Sequence, residues 1–255
     1  MLKLICGLSA ALILIGVGGC EKRGPDARAP IKLGAIVPLT GEAALYGNNT
    51  RKGIELAVHE ANQAGGVSGR EVAVVFEDSK AQAKEGVSAA QKLISQDRVP
   101  VIFDDAVSSV ALAVLPIADK AGVVVISSGS TNPDLSGKSR FFFRTWNSDS
   151  EEGRFSAQFA VDRLQLRKGC LLHVDNDYGR GLADVFARNF KASGGEIAAS
   201  ESFPQNAMEF RNQLTKLKSA GCEFVYLISY PEKIPLILNQ AKELQLSQRF
   251  LGTVT

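Results

Sequence analysis

Three clusters of hydroxyl and glycine residues carry most of the chemistry this chain offers. Pro38-Leu39-Thr40-Gly41 with Tyr46-Gly47, then Asp104-Asp105-Ala106-Val107-Ser108-Ser109, then Ser128-Gly129-Ser130-Thr131-Asn132-Pro133 each follow a short apolar run and precede a helical period. Hydroxyls and exposed backbone amides at the start of a helix hold a carboxylate without needing a lysine or arginine. The pattern predicts an anion grip rather than a reactive centre. The two histidines, His59 in a helical stretch and His173 inside an apolar run, have no matched nucleophile. No metal-ligand spacing, no Gly-x-Ser-x-Gly elbow and no phosphate loop occurs, so no enzyme, no cofactor and no metal site is expected.

The elements that must position these clusters alternate regularly. Residues 33–37, 72–77, 99–103 and 123–127 are short, β-branched apolar runs bounded by glycine, proline or charge, which read as buried strands. Between them Ile54, Ala57, Val58 and Ala61 share one helical face before Gly65-Gly66; Val87, Ala90, Leu93 and Ile94 mark a second helix; Ala111, Leu115 and Ala118 mark a third. Repeated strand-helix-strand units with right-handed crossovers predict a doubly wound α/β sheet. Residues 141–149, FFFRTWNSD, break the rhythm, and the alternation then restarts. Helices are expected at 151–164, 181–192, 209–220 and 231–244, and strands at 170–174, 196–203 and 224–229. Two lobes follow, 31–145 and 146–255, joined at a hinge with a cleft between them. In open α/β sheets ligands sit beyond the carboxyl ends of the strands, where the three clusters fall.

The first twenty residues, MLKLICGLSAALILIGVGGC, hold one lysine and an apolar run too short to cross a bilayer. They read as a cleaved export signal, residues 1–19. Val17-Gly18-Gly19-Cys20 resembles the bacterial lipobox, which makes Cys20 the lipid attachment site; the rival is an ordinary signal with a chance cysteine. Residues 20–30 form a charged, proline-containing tether. Glu21, rather than Asp, follows Cys20, so the familiar inner-membrane retention signal is absent. The expected location is exported and lipid-anchored to the envelope, at either membrane. The formal charge of +2 falls by the one charge of Lys3 on processing, and no basic tract is present, which excludes nucleic acid as a partner. Of the four cysteines, Cys6 leaves with the signal and Cys20 takes lipid. Cys170 and Cys222 remain, at the head of one expected strand and just ahead of another, and either form a bridge or, the commoner outcome, stay as buried thiols.

Pro38-Leu39-Thr40-Gly41 with Tyr46-Gly47, Gly53-Ile54-Glu55-Leu56-Ala57, Gly65-Gly66-Val67-Ser68-Gly69, Ser108-Ser109-Val110-Ala111, the cluster at 128–133 and Asp177-Tyr178-Gly179-Arg180-Gly181 occur in the order seen in leucine/isoleucine/valine-binding proteins. From about residue 31 to residue 255 the chain resembles a type I periplasmic solute-binding protein of that family. The resemblance implies two Rossmann-like doubly wound lobes, a small-molecule ligand of amino-acid type, an ABC permease as partner and a monomer. By position it implies that Ser108, Gly129 and Thr131 hold the ligand carboxylate and that Tyr46, Tyr178 and Tyr230 line the cleft. Each has a blander rival: Ser108 and Thr131 as helix caps, Tyr178 as a packed turn aromatic, Tyr46 as a cover for the cleft's edge. Trp146 in the crossover is as well explained by core packing as by ligand contact.

Two departures from the family pattern bear on the ligand. A Gly-Pro pair common in the family is replaced by Asp104-Asp105, and the family acid that pairs with the ligand ammonium falls at Val254. An unpaired ammonium in a closed cleft costs on the order of several kcal/mol. Asp149, which aligns with a family acid in the crossover, or one of Asp104 and Asp105, must replace it, or the ligand lacks the amine. Family members also cross back to the first lobe a third time, a return segment expected to be missing here. The leading expectation is capture of a branched-chain-type amino acid or related carboxylate for a permease; the alternative is an envelope sensor or cell-wall assembly factor on the same fold.

Overall fold

A computed structural model describes residues 29–104 and 107–253. The signal at 1–19, Cys20, Asp105 and Val254 lie outside the described residues. The first lobe holds β1 (Ile31–Val37), α1 (Ala44–Gln63), β2 (Val72–Asp78), α2 (Ala83–Lys92), β3 (Val101–Asp104), α3 (Ser108–Ala121), β4 (Val124–Ser127) and β5 (Phe142–Arg144). Its five strands run parallel in the order β2-β1-β3-β4-β5. The chain steps one way from β1 to β2 and the other way to β3, so right-handed crossovers put α1 on one face and α2 with α3 on the other. The inner strands are buried on both faces: Ala35, Ile36, Val37, Ile102 and Val125 are all essentially inaccessible.

The second lobe repeats the plan. It runs α4 (Asp149–Gln158), β6 (Lys168–Val174), α5 (Asp177–Ala192), β7 (Glu196–Phe203), α6 (Arg211–Ala220), β8 (Phe224–Ile228), α7 (Ile234–Glu243) and β9 (Arg249–Gly252), with parallel strands ordered β7-β6-β8-β9. Its core is aromatic. Phe186 stacks on Tyr226 with centroids 4.2 Å apart, and Phe224 meets Phe190 edge-on at 5.5 Å. Truncating any one of these rings to alanine costs about 3–5 kcal/mol.

Several expectations need correction. The crossover at 141–149 contains a fifth strand, β5, too short to show periodicity and identified only by its pairing with β4. Trp146 is not core: it is 46% exposed. Helix α5 begins at Asp177 rather than 181, because the Asn176 side chain accepts from Gly179 N (3.0 Å) and caps it there. Likewise α4 begins at Asp149 behind a Ser148 cap, and its last turn widens into a π-helical turn over Phe159–Arg163. Helix α7 starts at Ile234, three residues after Pro231. Cys170 and Cys222 are joined in a disulfide, against the buried-thiol expectation. The parallel register that sets Cys170 opposite Val225 brings the residue just ahead of β8 within reach.

Candidate functional site

Each sheet reverses its strand order once, between β1 and β3 in the first and between β6 and β8 in the second. The crevice outside the carboxyl ends at such a reversal is where open α/β sheets bind ligands. Just after these four strands come Tyr46, Ser108 and Tyr178, each in the first turn of a helix, and Tyr230 in the loop after β8. The two tyrosines on helices share a device. In Tyr46-Gly47 a Cβ on the glycine would fall 2.1 Å from Pro38 O, and in Tyr178-Gly179 one would fall 1.9 Å from Val174 O. Only glycine lets the first turn of α1 or α5 lie against the end of its strand, which sets where the adjacent tyrosine stands.

Ser108 is fully buried at the first turn of α3, and its hydroxyl oxygen accepts from Asn132 N (3.2 Å). It does not cap the helix: Val107 occupies that position without a side-chain bond. Thr131 is also buried and not a cap, since Asn132 caps the short 3-10 turn over Pro133–Leu135 through Asp134 N. Gly129, half-buried, sits on the same loop after β4. The neighbouring Ser127 Oγ accepts from Ser130 N (2.9 Å), and Ser130 Oγ donates to the buried Asp104 Oδ2 (3.0 Å). Asp104 is thereby bound into the scaffold of this loop.

Asp149 opens α4 and is completely buried. Its backbone N donates to Thr131 O (2.9 Å), so the acid and the hydroxyl loop are adjacent. Neither carboxylate oxygen meets a hydrogen-bond donor at bonding geometry. Burial pushes its carboxyl up to about 7; the nearby Glu152 adds to the rise, while the Thr131 hydroxyl and the Arg144 guanidinium oppose it. A buried acid so poorly compensated by its own protein is costly to ionise.

The second lobe closes on this loop. Asn132 Nδ2 donates to Asp177 O (2.6 Å), and Asp177 N donates to Ser109 Oγ (3.3 Å). Tyr178 and Tyr230 are both buried, with ring centroids 5.7 Å apart. Asn176 Nδ2 donates to Tyr230 Oη (3.2 Å), and Tyr178 Oη donates to Thr253 Oγ1 (3.3 Å). Tyr46 is half-buried against the first core with its hydroxyl buried. Further out, Lys233 Nζ meets Glu42 Oε1 at 3.0 Å, Glu232 Oε1 accepts from Leu45 N (3.3 Å), and Gln205 Nε2 donates to Ala81 O (3.3 Å). Sequence reasoning missed Asn176, Lys233, Glu42 and Arg144. Only Arg144 left a trace, as a lone cation in the aromatic run FFFRTW.

His173 stays in β6 with Nδ1 3.0 Å from Val174 O. Among the described residues no group of three His, Cys, Asp or Glu side chains could hold a metal, and no helix is long and apolar enough to cross a membrane.

Two parallel α/β sheets, each with one reversal of strand order and polar loops at its carboxyl ends, give the two-lobed architecture of a periplasmic binding protein. The chain belongs to the periplasmic binding protein family, whose pattern it matches over residues 30–255. This is a family of binding proteins rather than enzymes. The chain is 32% identical over 227 residues to Leu/Ile/Val-binding protein homolog 3 of Brucella melitensis, covering 89% of this chain and 61% of that protein. It is 30% identical to the leucine-, isoleucine-, valine-, threonine- and alanine-binding protein of Pseudomonas aeruginosa, covering 87% of this chain and 60% of that one. The solved structure of LivJ, a branched-chain amino acid transporter substrate-binding protein from Streptococcus pneumoniae in complex with isoleucine, superimposes with a TM-score of 0.79 at 31% identity, over 88% of this chain and 64% of that one. The chain thus spans about three fifths of the length of these relatives.

Proposed function

We propose that this chain is the substrate-binding component of an ABC transporter, taking a small α-amino acid of branched-chain type between lobes 31–145 and 146–255 and presenting it to a permease. Ser108, Gly129 and Thr131 receive the carboxylate, Asp149 receives the ammonium, and Tyr46, Tyr178 and Tyr230 enclose the side chain. The observation that carries this reading is Asp149: a fully buried carboxylate without bonded donors, tied through its own amide to the loop that bears Thr131. A zwitterion supplies the missing cation at one end and needs the hydroxyls and amides at the other. The relatives' ligands, leucine, isoleucine and valine, are of this kind. Cys20 and the tether 20–30 would keep the ligand trap near the membrane, as a monomer.

Ligands that bind the native state raise its melting temperature with concentration. Thermal denaturation of the purified chain against aliphatic, polar and aromatic amino acids tests the reading. Stabilisation by small aliphatic amino acids is expected; a folded sample unmoved by the whole panel would contradict it.

A further inference from the structure

Arg144 is the last residue of β5, placed just before the chain crosses to the second lobe. Its Nη1 faces three successive carbonyls, Ser130 O (3.4 Å), Thr131 O (3.2 Å) and Asn132 O (3.2 Å), while Nη2 donates to Ser136 Oγ (2.5 Å). The hydroxyl loop is therefore curled around one guanidinium. Thr131 O accepts a second bond, from the backbone N of Asp149 (2.9 Å). A single carbonyl is thus held between the arginine that ends the first lobe and the amide that begins α4.

We infer that Arg144 is a positioning residue that fixes the spacing between the carboxylate-binding loop and the Asp149 carboxylate, and so favours α-amino acids over ligands with a longer amine-to-carboxylate separation. The inference rests on the solute-binding reading above. Rigid ends select by spacing, because a ligand with one extra methylene can satisfy only one end without strain. A lysine keeps the charge but, lacking the planar fork, cannot hold three carbonyls and a hydroxyl together. The neighbouring polar groups fit this role: the Ser108 hydroxyl oxygen accepts from Asn132 N (3.2 Å) on the same loop, and the guanidinium also draws on Asp149 electrostatically.

The test is calorimetric titration of the purified chain with leucine and with β-leucine, whose amine is one carbon further from the carboxylate. In the unmodified chain leucine binds more tightly. Arg144→Gln is expected to narrow the affinity ratio by about tenfold, equivalent to about 1.4 kcal/mol of lost discrimination. Arg144→Lys should fall between, and Ser136→Ala, which removes only the outer anchor of the guanidinium, should narrow the ratio less at an unchanged melting temperature. Should Arg144→Gln melt below the assay temperature, the lysine and Ser136 variants carry the measurement. Equal weakening of both ligands in every variant, with the ratio preserved, overturns the inference and makes Arg144 a general scaffold residue. Binding of neither ligand by the unmodified chain overturns the solute-binding reading itself.

Discussion

The Lys233 ammonium lies 3.0 Å from the Glu42 carboxylate and joins the loop after β8 to the loop after β1, lobe to lobe. Lys233 is 5% exposed, and its Nζ also sits 3.4 Å from Met208 Sδ, so the cation is largely desolvated when the lobes meet. Within either lobe alone this pair does not exist. It therefore joins the two lobes to each other and adds nothing to the folding of either one.

Lys233→Met should weaken ligand affinity by roughly three- to tenfold, mainly through faster release, because a pair bridging a closed interface acts on dissociation. Each lobe should keep its stability, since a methionine packs where the aliphatic stem did. Titration at low and high salt checks the charge component: the salt dependence of affinity should shrink in the variant. Unchanged affinity and unchanged salt dependence would remove the pair from the closure mechanism.

Asp149→Asn should weaken amino-acid binding by on the order of a hundredfold while stabilising the empty protein at neutral pH and above. The sign follows from the raised pKa, about 7 in the folded chain against an ordinary 3.8. Below about pH 4 the acid is protonated in both states and costs nothing. As pH climbs from 4 to 7 the unfolded chain loses its proton first, so stability falls, and above 7 the full penalty is present, on the order of a few kcal/mol. Melting curves from pH 4 to 8 should show the native protein losing stability across that window and the asparagine variant losing less. Parallel curves would mean that Asp149 is better compensated than its surroundings allow.

Gly179→Ala should destabilise by about 1–3 kcal/mol and weaken binding as well, because the added methyl would stand 1.9 Å from Val174 O and must push the first turn of α5, with Tyr178, away from β6. Chemical denaturation reads the first effect and titration the second. A variant that loses stability but binds normally would show that Tyr178 is not placed by this contact.

Reducing the Cys170–Cys222 disulfide frees a loop spanning a sequence separation of 52 residues. On loop-closure entropy alone the bridge stabilises by about 4 kcal/mol. Melting in the presence and absence of a thiol reductant should show a clear drop, and the double alanine variant should melt low without responding to reductant.

The strands and the clusters after them were legible because buried parallel strands read as apolar runs and their carboxyl ends as glycine and hydroxyl residues. Ser108 and Thr131 stood out for that reason. Strand β5 did not, since Phe142, Phe143 and Arg144 carry no alternation and become a strand only by pairing with β4. The Cys170–Cys222 bridge depended on strand order, which spacing alone left open. Lys233 and Glu42 lie 191 residues apart, and nothing local marks either one; their meaning arises when the lobes meet. Asp149 was visible as an acid in the crossover, but its isolation inside the protein was not.

The most direct measurement compares leucine with its deaminated analogue, 4-methylpentanoate, by calorimetry on the native chain and on Asp149→Asn. The native chain should prefer leucine by on the order of a hundredfold or more, the cost of leaving one buried charge unpaired. In the asparagine variant that preference should collapse. If the native chain binds both compounds equally, or the variant keeps its preference for leucine, Asp149 is not the ammonium partner and the proposed site is wrong.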